Sequence, residues 1–191
     1  MKTKFRLSLI GTMIFVALFM TSCFIENDVP VDTYYDDEQA DIKVVTFTIN
    51  YNAWGRDNSD RNFWYYTYNT SMIDYYVVDN GAVLFYYGNY DNSGYVNKWY
   101  SIPFTNVYYD NNLGGYYERV YDASYEPGIL ELEIKDTNPI RFEWAEEKDI
   151  KIKAIILEGH RYNMLKKNDI DLKNYSEVSS ALNLKTEDNT K

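Results

Sequence analysis

Asp79-Asn80-Gly81-Ala82-Val83-Leu84-Phe85-Tyr86-Tyr87 runs from a polar Asp-Asn-Gly triplet straight into six apolar or aromatic residues. The triplet reads as a turn and the run as a strand. Both alternating sets, Ala82/Leu84/Tyr86 and Val83/Phe85/Tyr87, are apolar. A strand apolar on both faces is expected at the centre of its sheet, covered on both sides.

Around it lie segments that alternate and so read as half-buried strands. Residues 42–51 place Val45, Phe47 and Ile49 on one face. Residues 62–68 are nearly all aromatic. Residues 98–103 and 104–110 flank Pro103, which marks a bend or an edge. Residues 116–125 set Tyr117, Arg119 and Tyr121 opposite Tyr116, Glu118 and Val120. Pro127-Gly128 suits the centre of a type II turn. Leu130/Leu132/Ile134 then alternate with Glu131/Glu133/Lys135. Phe142 and Trp144 alternate with Arg141 and Glu143, and residues 150–157 form the last strong strand. Ser71-Met72-Ile73-Asp74 has the spacing of a helical turn opening, and Asn174-Tyr175-Ser176-Glu177 that of a capping box opening a helix over 175–183.

Eight or nine short strands without βαβ alternation predict an all-β fold. The expected architecture is an antiparallel two-layer β-sandwich, immunoglobulin-like or jelly-roll-like, with a short C-terminal helix docked on its edge. Of the 21 tyrosines, 19 fall between Tyr34 and Tyr125, where rings half-bury well on strands.

The first residues carry targeting information. Lys2, Lys4 and Arg6 precede an apolar stretch, residues 7–20, shorter than the about 20 residues a membrane helix needs. Thr21-Ser22-Cys23 follows, with small residues before the chain's single cysteine. This looks like a lipobox, with Met20 in place of the usual Leu. It predicts a signal peptide over 1–22 and lipidation of Cys23, hence a membrane anchor. One cysteine permits no internal disulfide. Residues 23–41 are acidic and aperiodic and read as a tether. Residues 42–160 read as the sandwich domain and 161–191 as a C-terminal segment ending in a loose tail.

Removing residues 1–22 takes away three bases and no acid, so the formal charge moves from −10 to −13. That balance speaks against nucleic acid as a partner. His160 is the single histidine, which excludes a histidine-based triad or zinc site of the usual kind. Asn89, Asp91 and Ser93, with Gly94, resemble the opening of a calcium loop. The twelfth position is Tyr100, where a bidentate Glu belongs, so the reading is a hairpin turn and no metal. Glu131 and Glu133 share one strand face, unlike carboxylates opposed across a cleft. No cofactor is expected, and an enzyme is the third-ranked reading.

The candidate ligand-binding residues are the rings in or beside loops: Trp54, Tyr90, Tyr95, Tyr108, Tyr109 and Tyr116, with Tyr125 beside them. Rings interleaved with Asn and Asp are what sugar sites use, though rings also simply pack across strands.

The Ser22-Cys23 signal end, the 77–86 segment, Trp99-Tyr100-Ser101-Ile102-Pro103 and the 171–178 segment together resemble an uncharacterised family of small β-rich lipoproteins of the Bacteroidota (Bacteroides type). The resemblance spans most of the mature chain. Members often carry a collagen-like Gly-Pro repeat after the cysteine, where this chain has acids, and Glu26 and Asp28 resemble the surface-export signals of such lipoproteins. It implies a tyrosine-rich β-sandwich lipoprotein of the cell envelope, at the outer membrane, facing the periplasm or the surface. It brings no activity and no ligand site. The expected role is a non-enzymatic structural or interaction module with a glycan or an envelope protein as partner. The alternative is a glycan-binding accessory lipoprotein using exposed Tyr and Trp.

Overall fold

The structure, a computed structural model, describes residues 32–34, 41–57, 60, 62–90, 95–111, 114–137 and 148–184. The expected signal peptide, Cys23, Asp91, Ser93, the Phe142/Trp144 segment and the tail lie outside the described residues.

Ten described strands form two antiparallel five-stranded sheets packed face to face. The first sheet contains β1 (Asp32–Tyr34), β2 (Ile42–Ile49), β5 (Ala82–Tyr90), β6 (Val96–Ile102) and β10 (Ile150–Leu157), in the order β1-β2-β10-β5-β6. The second contains β3 (Gly55–Arg56), β4 (Phe63–Asn69), β7 (Phe104–Asp110), β8 (Gly115–Glu126) and β9 (Ile129–Asp136), in the order β3-β4-β9-β8-β7. The all-β sandwich read from the alternation is the observed fold.

The period-two reading explains the core. Val45, Phe47 and Ile49 of β2 oppose Ala154, Ile152 and Ile150 of β10. Val83 and Phe85 of β5 oppose Ile156 and Ala154. These side chains meet Leu130 and Leu132 of the second sheet between the layers. β5 is covered on both sides as expected, but it is not the central strand: β10, with the same two-sided character, takes the centre, between β2 and β5.

The described residues also form three short helices: α1 (Tyr75–Asn80), α2 (Gly159–Lys167) and α3 (Tyr175–Ala181). The last two roof the outer face of the first sheet, where Ile42, Tyr86, Ile155 and Leu157 pack on Leu165, Val178 and Leu182. The C-terminal helix therefore docks on a sheet face, where the sequence suggested an edge, because the second apolar face of β5 and β10 needs cover. Asn174 caps α3 as expected, its side chain accepting from the Ser176 and Glu177 amides, and Glu177 returns the bond by accepting from Asn174 Nδ2 at 2.8 Å.

This roof also holds a lysine that strand alternation did not single out. Lys153 is only 3% exposed. Its ammonium donates to the Tyr175 hydroxyl at 3.0 Å and lies 4.5 Å from the centroid of the Trp99 ring. Cation–π contact and a hydrogen bond replace part of the lost hydration.

Three local readings are corrected. Asp79 and Asn80 are the last turn of α1 and not a hairpin turn, because Asp74 caps that helix by accepting from the Val77 amide at 2.9 Å. The cap is thus Asp74, one turn later than Ser71 suggested. Gly81 ends α1 at an ordinary negative φ, and glycine is needed there for space. A Cβ would strike the carbonyl oxygen of Leu157 and crowd that of Val77. Finally, residues 32–34, inside the stretch read as a tether, pair with β2 as β1.

Candidate functional site

The β7–β8 hairpin places three of the six candidate rings together. Tyr108 opposes Tyr117 and Tyr109 opposes Tyr116 in register. Because successive strand residues point to opposite faces, the pairs part. Tyr108 stacks on Tyr117 on the face towards the other sheet, with centroids 5.3 Å apart and planes at 21°. Tyr109 meets Tyr116 edge-on across the outer face, at 5.0 Å and 66°. Tyr116 is 75% exposed, and Val107, on the same outer face as Tyr109, is 62% exposed.

The inward face of this hairpin is rooted in a buried ion pair. Arg119 donates from Nε to Asp136 Oδ1 at 2.8 Å and from Nη2 to Oδ2 at 2.9 Å. Register dictates the partner, since Arg119 lies opposite Asp136 between β8 and β9. The guanidinium sits between Trp64 and Tyr108, 5.8 and 5.9 Å from their ring centroids. Asn106 Nδ2 donates to the Tyr108 hydroxyl at 3.2 Å, which in turn lies 3.5 Å from that of Tyr121. Thus the inner side is tied down and the outer side presents its rings to solvent.

The remaining candidates are not brought to this surface. Trp54 is half-buried against the core, its ring edge-on to Tyr66 at 6.1 Å, and its buried Nε1 has no hydrogen-bond partner among the described residues. Tyr90 is half-buried, and burial raises its hydroxyl pKa, a hydrogen bond with Thr48 countering only part of the rise and the Asp149 carboxylate adding to it. Tyr95 is exposed but precedes β6, in the other sheet. Tyr125 points into the core. The concave ring patch that a sugar platform would need is not formed by Tyr108, Tyr109 and Tyr116, whose rings lie on two faces. Asn89, the described member of the calcium-loop reading, is a β5 residue paired opposite Lys98.

The outer face of the second sheet is acidic. Glu133 of β9 lies directly opposite Asp122 of β8, and Glu131 follows on the same face. Partial burial and then the neighbouring Glu131 and Asp122 carboxylates raise the pKa of Glu133. These acids lie side by side on one sheet surface, a geometry that opposes no pair across a cleft.

A grouping that sequence spacing did not reveal joins Asp41 to Glu158 and His160, at the far end of the domain sequence. His160 Nε2 lies 2.9 Å from Asp41 Oδ2, with Glu158 beside them and the three ligand-type atoms within 4.8 Å of one another. Arg161 Nε is 3.8 Å from the same Asp41 oxygen, and the Glu158 amide donates to the Asp41 carbonyl at 3.0 Å. With a guanidinium and the positive end of α2 already facing Asp41, the cluster is a clasp between the start of β2 and α2.

No family model, no curated protein and no solved structure matches this chain.

Proposed function

We propose that this chain is a membrane-tethered, non-enzymatic lipoprotein of the cell envelope whose sandwich serves as an interaction module, with the outer side of the β7–β8 hairpin as its contact surface. The observation that carries this is the gathering of Val107, Tyr109 and Tyr116 on one exposed surface above a rigid root. Exposed tyrosines over an immobilised backbone offer large contact area at low entropic cost. The lipobox-like Ser22-Cys23 and the family resemblance support attachment through a lipidated Cys23 at the outer membrane.

The glycan-binding reading stands second, favoured by the open ring of Tyr116. One experiment separates the two. A photo-crosslinking residue is placed at position 116 and, as a control, at Tyr75, which is 76% exposed on α1. In cells, a discrete protein adduct specific to position 116 is the expected result. A carbohydrate adduct there favours the glycan reading. Equal labelling at both positions, or none, refutes the contact surface. Mass spectrometry of Cys23 tests the tether, and an unmodified thiol refutes it.

A further inference from the structure

Each sheet ends in strands with one unpaired side, and an unpaired edge invites another chain unless it is blunted. Three of the four edges in the described residues are blunted. β1 has three residues and β3 has two. β6 carries the exposed Lys98 at its middle, and its pairing with β5 shifts register at Asn89/Tyr90. β7 is less guarded. It is seven residues long, as β6 is, but it pairs with β8 at every position without a register break, and its one charged residue is Asp110, at its last position. Its outward-facing Val107 is among the most exposed large apolar residues of the described chain.

We infer that the open edge of β7 docks an extended cationic peptide segment of a partner protein, added as a further strand to the second sheet. This rests on the interaction-module reading and narrows it to one strand and one partner chemistry. Charge selects the occupant. On the outer face Glu118 stands beside β7, Asp122, Glu133 and Glu131 continue the acidic surface past Phe104, and Lys135, level with Thr105, faces Asp60 at 3.9 Å. Glu118 is directly opposite Val107. A strand added beyond β7 would lie about 10 Å from β8, two strand spacings, which a lysine side chain largely spans and which is comparable to the Debye length. A second copy would bring an equal charge of −10 and its own acidic face to the same edge. Backbone bonds would supply the pairing, Val107 and Tyr109 would cover the stems of basic side chains, and the acids would meet their heads.

The test uses the full chain in a non-ionic detergent and three fluorescent heptapeptides. The first alternates Lys and Val, the second alternates Glu and Val, and the third is the Lys/Val peptide N-methylated at alternate residues. The Lys/Val peptide is expected to bind and to weaken with added salt. The other two, lacking either the charge or one edge of backbone donors, bind about tenfold or more weaker. Val107→Lys gives the β7 edge the guard that Lys98 gives β6 at an already exposed position, and lowers affinity for the Lys/Val peptide by a similar factor. Equal binding to Val107→Lys or of the N-methylated peptide overturns the inference, as does no binding at all. Concentration-dependent dimers that Val107→Lys abolishes, seen by sedimentation, overturn it in favour of a second copy. If the peptides fail while position 116 still crosslinks a protein selectively, the interaction module stands and the strand-addition mode falls.

Discussion

The buried Arg119–Asp136 pair offers a sharp test of how the second sheet is held. The carboxylate side chain is wholly buried and the guanidinium is 7% exposed. Two charge-assisted bonds and two flanking rings compensate their lost hydration. Asp136→Leu leaves the guanidinium buried without its carboxylate and costs about 3–5 kcal/mol. At about 2–4 °C per kcal/mol for a domain of this size, the melting temperature falls by roughly 6–20 °C. Arg119→Met strands the carboxylate and costs a comparable amount. The double variant Arg119→Met/Asp136→Leu fills the same space with apolar atoms between Trp64 and Tyr108. It is expected within about 1 kcal/mol of the wild type, or above it, since well-packed apolar replacements of buried pairs often do no harm. Urea unfolding of the four proteins closes the cycle. Single variants that each cost under about 1 kcal/mol would refute the reasoning, because the pair would then be screened in a way its burial forbids. A double variant as unstable as the sum of the singles would show that geometry, not compensation of charge, is what the pair supplies.

Two further outcomes follow from particular atoms. Burial, followed by Tyr175 and Asp171, raises the hydroxyl pKa of Tyr86 far above the usual 10.0, and that hydroxyl donates to the Leu172 carbonyl at 2.8 Å. The folded state thus keeps a proton that the unfolded chain loses from about pH 10, so stability is complete below that value and falls as pH rises above it. In Tyr86→Phe, the unfolding free energy from urea titration should drop by about 1 kcal/mol near neutrality but fall less steeply above pH 10, and parallel alkaline slopes would contradict this. Gly81→Ala drives a methyl into the Leu157 and Val77 carbonyls, both backbone, and should cost about 3 kcal/mol, with an unaltered denaturant midpoint counting against it.

How far the sequence could be read depended on the range of the interactions. Strand alternation is local, so the inward sets of β2, β8, β9 and β10 and the splitting of Tyr108 from Tyr109 were legible from spacing alone. The Asn174 cap was legible for the same reason, its partners lying two and three residues away. α2 escaped because Gly159-His160-Arg161-Tyr162-Asn163 has no side-chain cap, and only Gly159 and Leu165 of that helix are buried. Asp79-Asn80-Gly81 looked like a turn because its composition suits one, and the Asp74 cap overrode it. Arg119 was placed on the correct face, but its partner depends on the β8–β9 register, and the Asp41–His160 clasp on contact between the two ends of the domain. The ring candidates show the same divide. Loop proximity picked Tyr108, Tyr109 and Tyr116 together with Trp54 and Tyr90, and tertiary packing then withdrew the last two.

Under the proposed lipid anchor at Cys23, which would hold the domain by its N-terminal end, the pairing of β1 on β2 acquires a mechanical meaning. A pull along that end strips three residue pairs one after another, since load on an antiparallel hairpin is borne by one rung at a time. Stripping halts at Asp41, which His160, Arg161 and the Glu158 amide grip from α2. The residues from 32 to 41 then pay out roughly 30 Å of chain while the sandwich stays intact. β1 is in effect a retractable slack, and a domain so held can extend its working radius under tension and recoil when released.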